Sequence, residues 1–75
     1  MKFRTLNSDY TIDTEAMTWS RQVREGRKSP LLWANSGPLA QVPDPIVGQR
    51  CALLETSKGL HGVIYTSTVI EVLDA

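Results

Sequence analysis

Short runs of alternating apolar and polar residues, divided by clusters of Gly, Pro, Asn, Asp and Ser, make up most of this chain. A period of two is the mark of half-buried strands. Lys2 to Leu6 reads as a strand and Asn7-Ser8-Asp9 as a turn, because Asn and Asp tolerate left-handed geometry and close turns through their side chains. Tyr10-Thr11-Ile12-Asp13 alternates again. Thr14 to Glu25 supports two readings. As a strand it puts Met17, Trp19, Arg21 and Val23 on one face. As a helix it starts at an Asp13 cap, gathers Ala16, Trp19 and Val23 and ends at Gly26. The poor helix formers Thr18, Trp19 and Ser20, and the hairpin that a strand would close with Tyr10 to Ile12, favour the strand.

All four prolines lie between Pro30 and Pro45. Proline lacks a ladder donor and holds its predecessor extended, so this middle segment reads as a loop with at most one short edge strand. The cleanest β signal follows it, a hairpin from about Ile46 to Leu73. Val47 to Thr56 forms its first strand, with Cys51, Leu53 and Leu54 inside it. Ser57 to Gly62 is a turn, with Gly59 and Gly62 able to take positive φ. Val63 to Thr66 resumes β-branched and aromatic composition, Ser67-Thr68 interrupts, and Val69 to Leu73 forms a further short strand. Gly26, Gly37, Gly48 and Gly59 punctuate the chain every eleven residues, a spacing suited to a small sandwich or barrel. The expected fold is one mainly β domain over residues 1–75, a small barrel or curled antiparallel sheet, with room for one short helix near residues 14–25. A strand, a polar break and a final strand resemble the end of a Src-homology-3-like barrel. The acidic loop and paired tryptophans of that family's peptide groove are missing.

Length changes the picture by limiting the core. A chain of 75 residues buries only roughly 60–65% of its unfolded surface, and small scaffolds draw support from disulfides, metals or self-association. Cys51 and His61 are the only cysteine and the only histidine. They make neither a disulfide nor a zinc set of about four ligands, so size favours a homo-oligomer. Eight basic and eight acidic residues cancel, which counts against a dedicated nucleic-acid binder. No apolar stretch approaches the ~20 residues of a membrane span, and no signal-peptide pattern stands at the start. With one free cysteine, these features point to the cytoplasm.

Candidate chemistry is sparse. A Cys51–His61 dyad is the one nucleophile–base pair to consider, but the hairpin separates its members by roughly 15–20 Å at ~3.3 Å per residue. Cys51 then reads as a core residue and His61 as a turn residue. Asp9 and Asp13 read as turn and cap residues. The local asymmetry lies in Arg21, Arg24, Arg27 and Lys28, with Trp19 beside them and Trp33 beyond. Arginines with exposed aromatics can hold a nucleotide or a single strand by pairing phosphate and stacking on bases. The same charges equally suit a solvated strand edge or a protein partner. Trp33 either plugs a barrel mouth or anchors an interface. No cofactor is implied.

The opening Met1-Lys2-Phe3-Arg4-Thr5-Leu6-Asn7-Ser8-Asp9-Tyr10-Thr11-Ile12-Asp13, the Trp19 and Arg21 that follow, and the closing Thr66-Ser67-Thr68-Val69-Ile70-Glu71-Val72 resemble segments of small actinobacteriophage proteins. Those proteins pair a T-x-N-S-x-Y-x-I-D run with a T-S/T-x-V-x-E-V run. The resemblance covers the two ends of the chain, carries over no functional residue, and implies a phage product acting inside a bacterial cell. The expectation is therefore a non-catalytic accessory protein that binds a host or defence component, through Trp33 and the basic segment. Two other readings stay open: an oligomer that sequesters a nucleotide signal with Arg and aromatic side chains, and a weak nucleic-acid-binding module.

Overall fold

The computed structural model describes residues 1–24, 35–59 and 62–74, and among these every regular element is a strand. The strands are β1 (Lys2–Thr5), β2 (Ser8–Asp13), β3 (Thr18–Val23), β4 (Ser36–Pro38), β5 (Arg50–Leu54) and β6 (Val63–Asp74). They form one antiparallel sheet in the order β4-β3-β2-β1-β6-β5, curled into a half-barrel. Residues after β4 reach across to β5. Leu39 bridges Glu55, Leu39 N donates to Met17 O (2.7 Å), and Ala40 N donates to Leu54 O (2.8 Å). The two outer strands of the order therefore meet at one point.

Alternation sets the inner face. Phe3, Tyr10, Ile12 and Trp19 from β1 to β3 pack with Leu39, Cys51, Leu53, Ile64 and Val69. Phe3 lies opposite Tyr10 in register and the rings stack at 5.1 Å, while Tyr10 meets Trp19 at 6.3 Å and 39°. Such aromatic pairs are worth about 0.5–1.5 kcal/mol each beyond the area they bury.

The segment that could have been a helix is a hairpin ending in β3. Asp13 Oδ1 accepts from the backbone N of Glu15 (3.0 Å) and Ala16 (2.9 Å), but it closes a turn rather than capping a helix. Met17 completes the reversal at φ 55°, an uncommon conformation for a side-chain-bearing residue. The turn between β1 and β2 is tighter than Asn7-Ser8-Asp9, since Ser8 and Asp9 already belong to β2. Thr5 explains this: its Oγ1 accepts from Ser8 N (3.2 Å) and donates to Ser8 O.

The expected break at Ser67-Thr68 is absent. β6 runs unbroken for 12 residues and changes partner instead, pairing β5 up to Thr68 and β1 from Val69. The registers shift within both ladders. Hydroxyls repair the disturbed ladder, for Thr66 Oγ1 accepts from Cys51 N (3.0 Å) and donates to Ser67 O (2.7 Å). β5 is shorter than Val47 to Thr56 because Gly48 turns at φ +92°.

Only part of the glycine punctuation marks turns. Gly48 and Gly62 take positive φ, Gly59 closes a turn without positive φ by donating its N to Thr56 O (2.9 Å), and Gly37 lies inside β4. Gly26 falls outside the described residues. What Gly37 and Gly59 supply is space for Glu55, whose Oε2 accepts from the Trp19 indole Nε1 (3.0 Å). A Cβ on Gly37 would strike that Oε2 and come within 2.8 Å of Trp19 Nε1; one on Gly59 would stand 2.6–2.7 Å from Glu55 Oε1, Cβ and Cδ. Gly59→Ala should therefore cost about 1–3 kcal/mol. Urea unfolding should show that cost shrinking in a Glu55→Gly background, since every close contact is with the Glu55 side chain, its Cβ included. An unchanged cost would mean that the strain lies elsewhere.

Candidate functional site

β1 has four residues and β6 has twelve. β1 ends at Thr5, opposite Val69, and two bonds tie off the joint: Leu6 N donates to Thr68 O (3.0 Å) and Asn7 Nδ2 to Ser67 Oγ (2.8 Å). Upstream of that joint β6 outruns β1, and a cleft of about 300 Å³ opens there. Tyr10 and Arg21 line it from β2 and β3. Arg50 and the Tyr65–Thr68 stretch line it from β5 and β6, with the Leu6–Ser8 turn as its rim. Among these described lining residues there are two arginines and no carboxylate.

Both arginines are held by hydrogen bonds. Arg21 is only 8% exposed; its Nε donates to Asn35 Oδ1 (3.4 Å), and it hydrogen-bonds the Tyr10 side chain. Arg50 is exposed. Its Nε donates to Thr66 O (2.8 Å), and its guanidinium lies 5.8 Å from the Tyr65 ring centroid, in cation–π range. Tyr65 itself stays 58% exposed. Oriented guanidinium groups beside hydroxyl and amide donors are what a multidentate oxyanion requires. The cleft can therefore bind an anion, with Leu6 and the two tyrosines supplying apolar surface.

The fold separates Arg21 from Arg24, the two described residues of the basic segment. Of the residues singled out in sequence, Arg21 alone among those described lines the cleft. Trp19 is 1% exposed, packed in the core and bonded to Glu55, so its ring is closed to a ligand. Arg24 is occupied by the β1–β2 hairpin: its Nη1 donates to Asp9 Oδ1 (2.7 Å), and Nη2 donates to Thr5 O. Asp9 also meets Arg4 (3.6 Å), so it is an ion-pairing strand residue, not a turn residue. Nor is β3 a sheet edge, since β2 and β4 flank it. Arg27, Lys28, Trp33 and His61 lie outside the described residues.

Arg50, Tyr65 and Tyr10 went unnoticed in sequence. Arg50 stands alone among uncharged neighbours, and only the β5–β6 pairing brings it to Tyr65. Cys51 is buried, and burial, helped by the charge of Asp44, pushes its thiol up from the ordinary value. The thiolate fraction needed for nucleophilic attack falls accordingly. Among the described residues no group of three or more His, Cys, Asp and Glu side chains could hold a metal ion, and no helix is long and apolar enough to cross a membrane.

Burial also raises the Tyr10 phenol above its ordinary 10.0, against the lowering effect of the Arg21 hydrogen bond and charge. Both acids keep their protons to higher pH in the folded state than in the unfolded one. Their stabilisation is full below the unfolded values and is lost as pH rises above them, from 9.0 for Cys51 and 10.0 for Tyr10. The urea midpoint should decline above about pH 9, and Tyr10→Phe should flatten the part of that decline beginning near pH 10.

No family model matches the chain, and neither a curated protein nor a solved structure matches it.

Proposed function

We propose that this is a non-catalytic binding protein that captures an anionic group in the cleft between β3, β5 and β6. The observation that carries this reading is the convergence of Arg21 and Arg50 on one cleft whose described lining contains no carboxylate. Tyrosine rings and the Ser67 and Thr68 hydroxyls complete a mixed lining typical of a small-molecule site. The likeness of the chain's two ends to small phage proteins supports an intracellular setting in an infected bacterium, where the anion would be a nucleotide signal.

A host or defence protein is the second reading. It draws support from the apolar surface around the cleft, where Leu6, Val63 and Tyr65 are 47%, 45% and 58% exposed. On that reading an acidic side chain of the partner enters the cleft.

Titration of the isotope-labelled protein with inorganic pyrophosphate tests the capture of an anion. Amide shifts should concentrate at Arg50, Tyr65 and Ser67-Thr68, and Arg50→Ala should weaken binding about tenfold or more, as expected for loss of a charge-assisted contact. Arg4→Ala removes a charge whose side chain pairs with Asp9 and Glu71, and should leave the affinity within about twofold. Equal losses in the two variants, or no shifts around the cleft, would defeat the proposal.

A further inference from the structure

The chemistry of the cleft is specific enough to name the class of its anion. Two positively charged residues line it from different strands, Arg21 from β3 and Arg50 from β5, and the hydroxyl-bearing Ser67 and Thr68 line its β6 wall. A planar carboxylate is satisfied by a single guanidinium fork, whereas a phosphoryl group presents three oxygens in three directions and carries about two negative charges. Donors arriving from β3, β5 and β6 fit the second geometry.

The remaining wall is aromatic. Tyr65 is the most exposed ring among the described residues at 58%, even with the Arg50 guanidinium over it. A ring beside a cationic group is the standard platform for a nucleobase, since every base offers a π-face to stack. Tyr10 lies deeper, held among Phe3, Trp19 and Arg21, and its hydroxyl stays protonated at neutral pH. A volume of about 300 Å³ is at the small end of ligand pockets.

An extended peptide fits less well. Strand addition needs a long free backbone edge, and the β6 edge facing β1 is taken from Thr68 onward, by Leu6 N and then by β1. The cleft is thus short and blocked at that end.

We infer that the cleft takes a nucleoside monophosphate, with the phosphoryl group between Arg21 and Arg50 and the base against Tyr65. This rests on the reading of the cleft as an anion site.

Calorimetry should compare AMP, GMP and UMP with ribose 5-phosphate, adenosine and hexaglutamate, using the full chain and the variants Tyr65→Ala and Tyr65→Phe. Tyr65 is exposed, so both variants should keep the native amide spectrum. At least one nucleotide should bind about tenfold or more tightly than ribose 5-phosphate, the gain expected from stacking one base. Tyr65→Ala should remove that advantage and leave ribose 5-phosphate binding within about twofold, while Tyr65→Phe should retain it. Equal affinity for nucleotides and ribose 5-phosphate would overturn the inference yet leave the anion site standing. Tighter binding of hexaglutamate would overturn it in favour of an acidic protein partner. Failure of every phosphate to bind would overturn this inference and the anion reading together.

Discussion

The hydrogen bond from the Trp19 indole to Glu55 is the side-chain tie at the junction where the two ends of the strand order meet. Six strands in the order β4-β3-β2-β1-β6-β5 would otherwise be an open ribbon with exposed edges at β4 and β5. Trp19 reaches from β3, Glu55 follows directly after β5, and the backbone at Leu39 and Ala40 secures the same junction. A hydrogen bond to a charged group contributes about 1.5–3 kcal/mol, a large share of what a domain this small can hold in reserve. Curling the sheet around that junction creates an inner face, and with it the aromatic row from Phe3 to Trp19.

The cleft comes from a mismatch of lengths. β6 serves two shorter strands in succession, and where it passes from β5 to β1 neither ladder is regular. Thr66 and the Asn7–Ser67 pair meet the hydrogen-bonding needs of that crossing with side chains. Polar groups concentrated for a structural reason therefore border a cavity. Arg21 and Arg50 add charge to it, while Arg24, three residues along from Arg21, is committed to the Asp9 hairpin. Adjacent positions in a basic run thus have unlike roles, because alternation along β3 and its end sends their side chains to different surroundings.

Much of the fold was legible because its signals are local. Period-two alternation located β1, β2 and the strand preference of β3, and among the described residues of the proline-rich middle the one strand is the three-residue β4. The signals that misled were local as well. Ser67-Thr68 looks like an interruption, since sequence does not reveal that a neighbouring strand ends opposite it. Asp13 carries the same oxygen whether it closes a turn or caps a helix. The glycine rhythm suggests turn chemistry, yet Gly37 lies in a strand and makes room for a glutamate distant in sequence. The candidate site was the least legible part. Arg21 was visible within a charged run, whereas Arg50 and Tyr65 acquire meaning only through pairing between strands. The burial of Trp19 follows from curling of the whole sheet.

The pairing of β1 with the second half of β6 also has a consequence in time. Thr5 meets Val69 across nearly the full sequence, so this ladder has a high contact order, and its loop-closure entropy must be met before any contact is gained. During synthesis Arg21 leaves the ribosome with no opposite wall, and the rim at Leu6–Ser8 has nothing to close against. The cleft exists only once β6 is in place. A nascent or truncated chain lacking β6 would lack one wall of the cleft, so an intact cleft reports the completed fold.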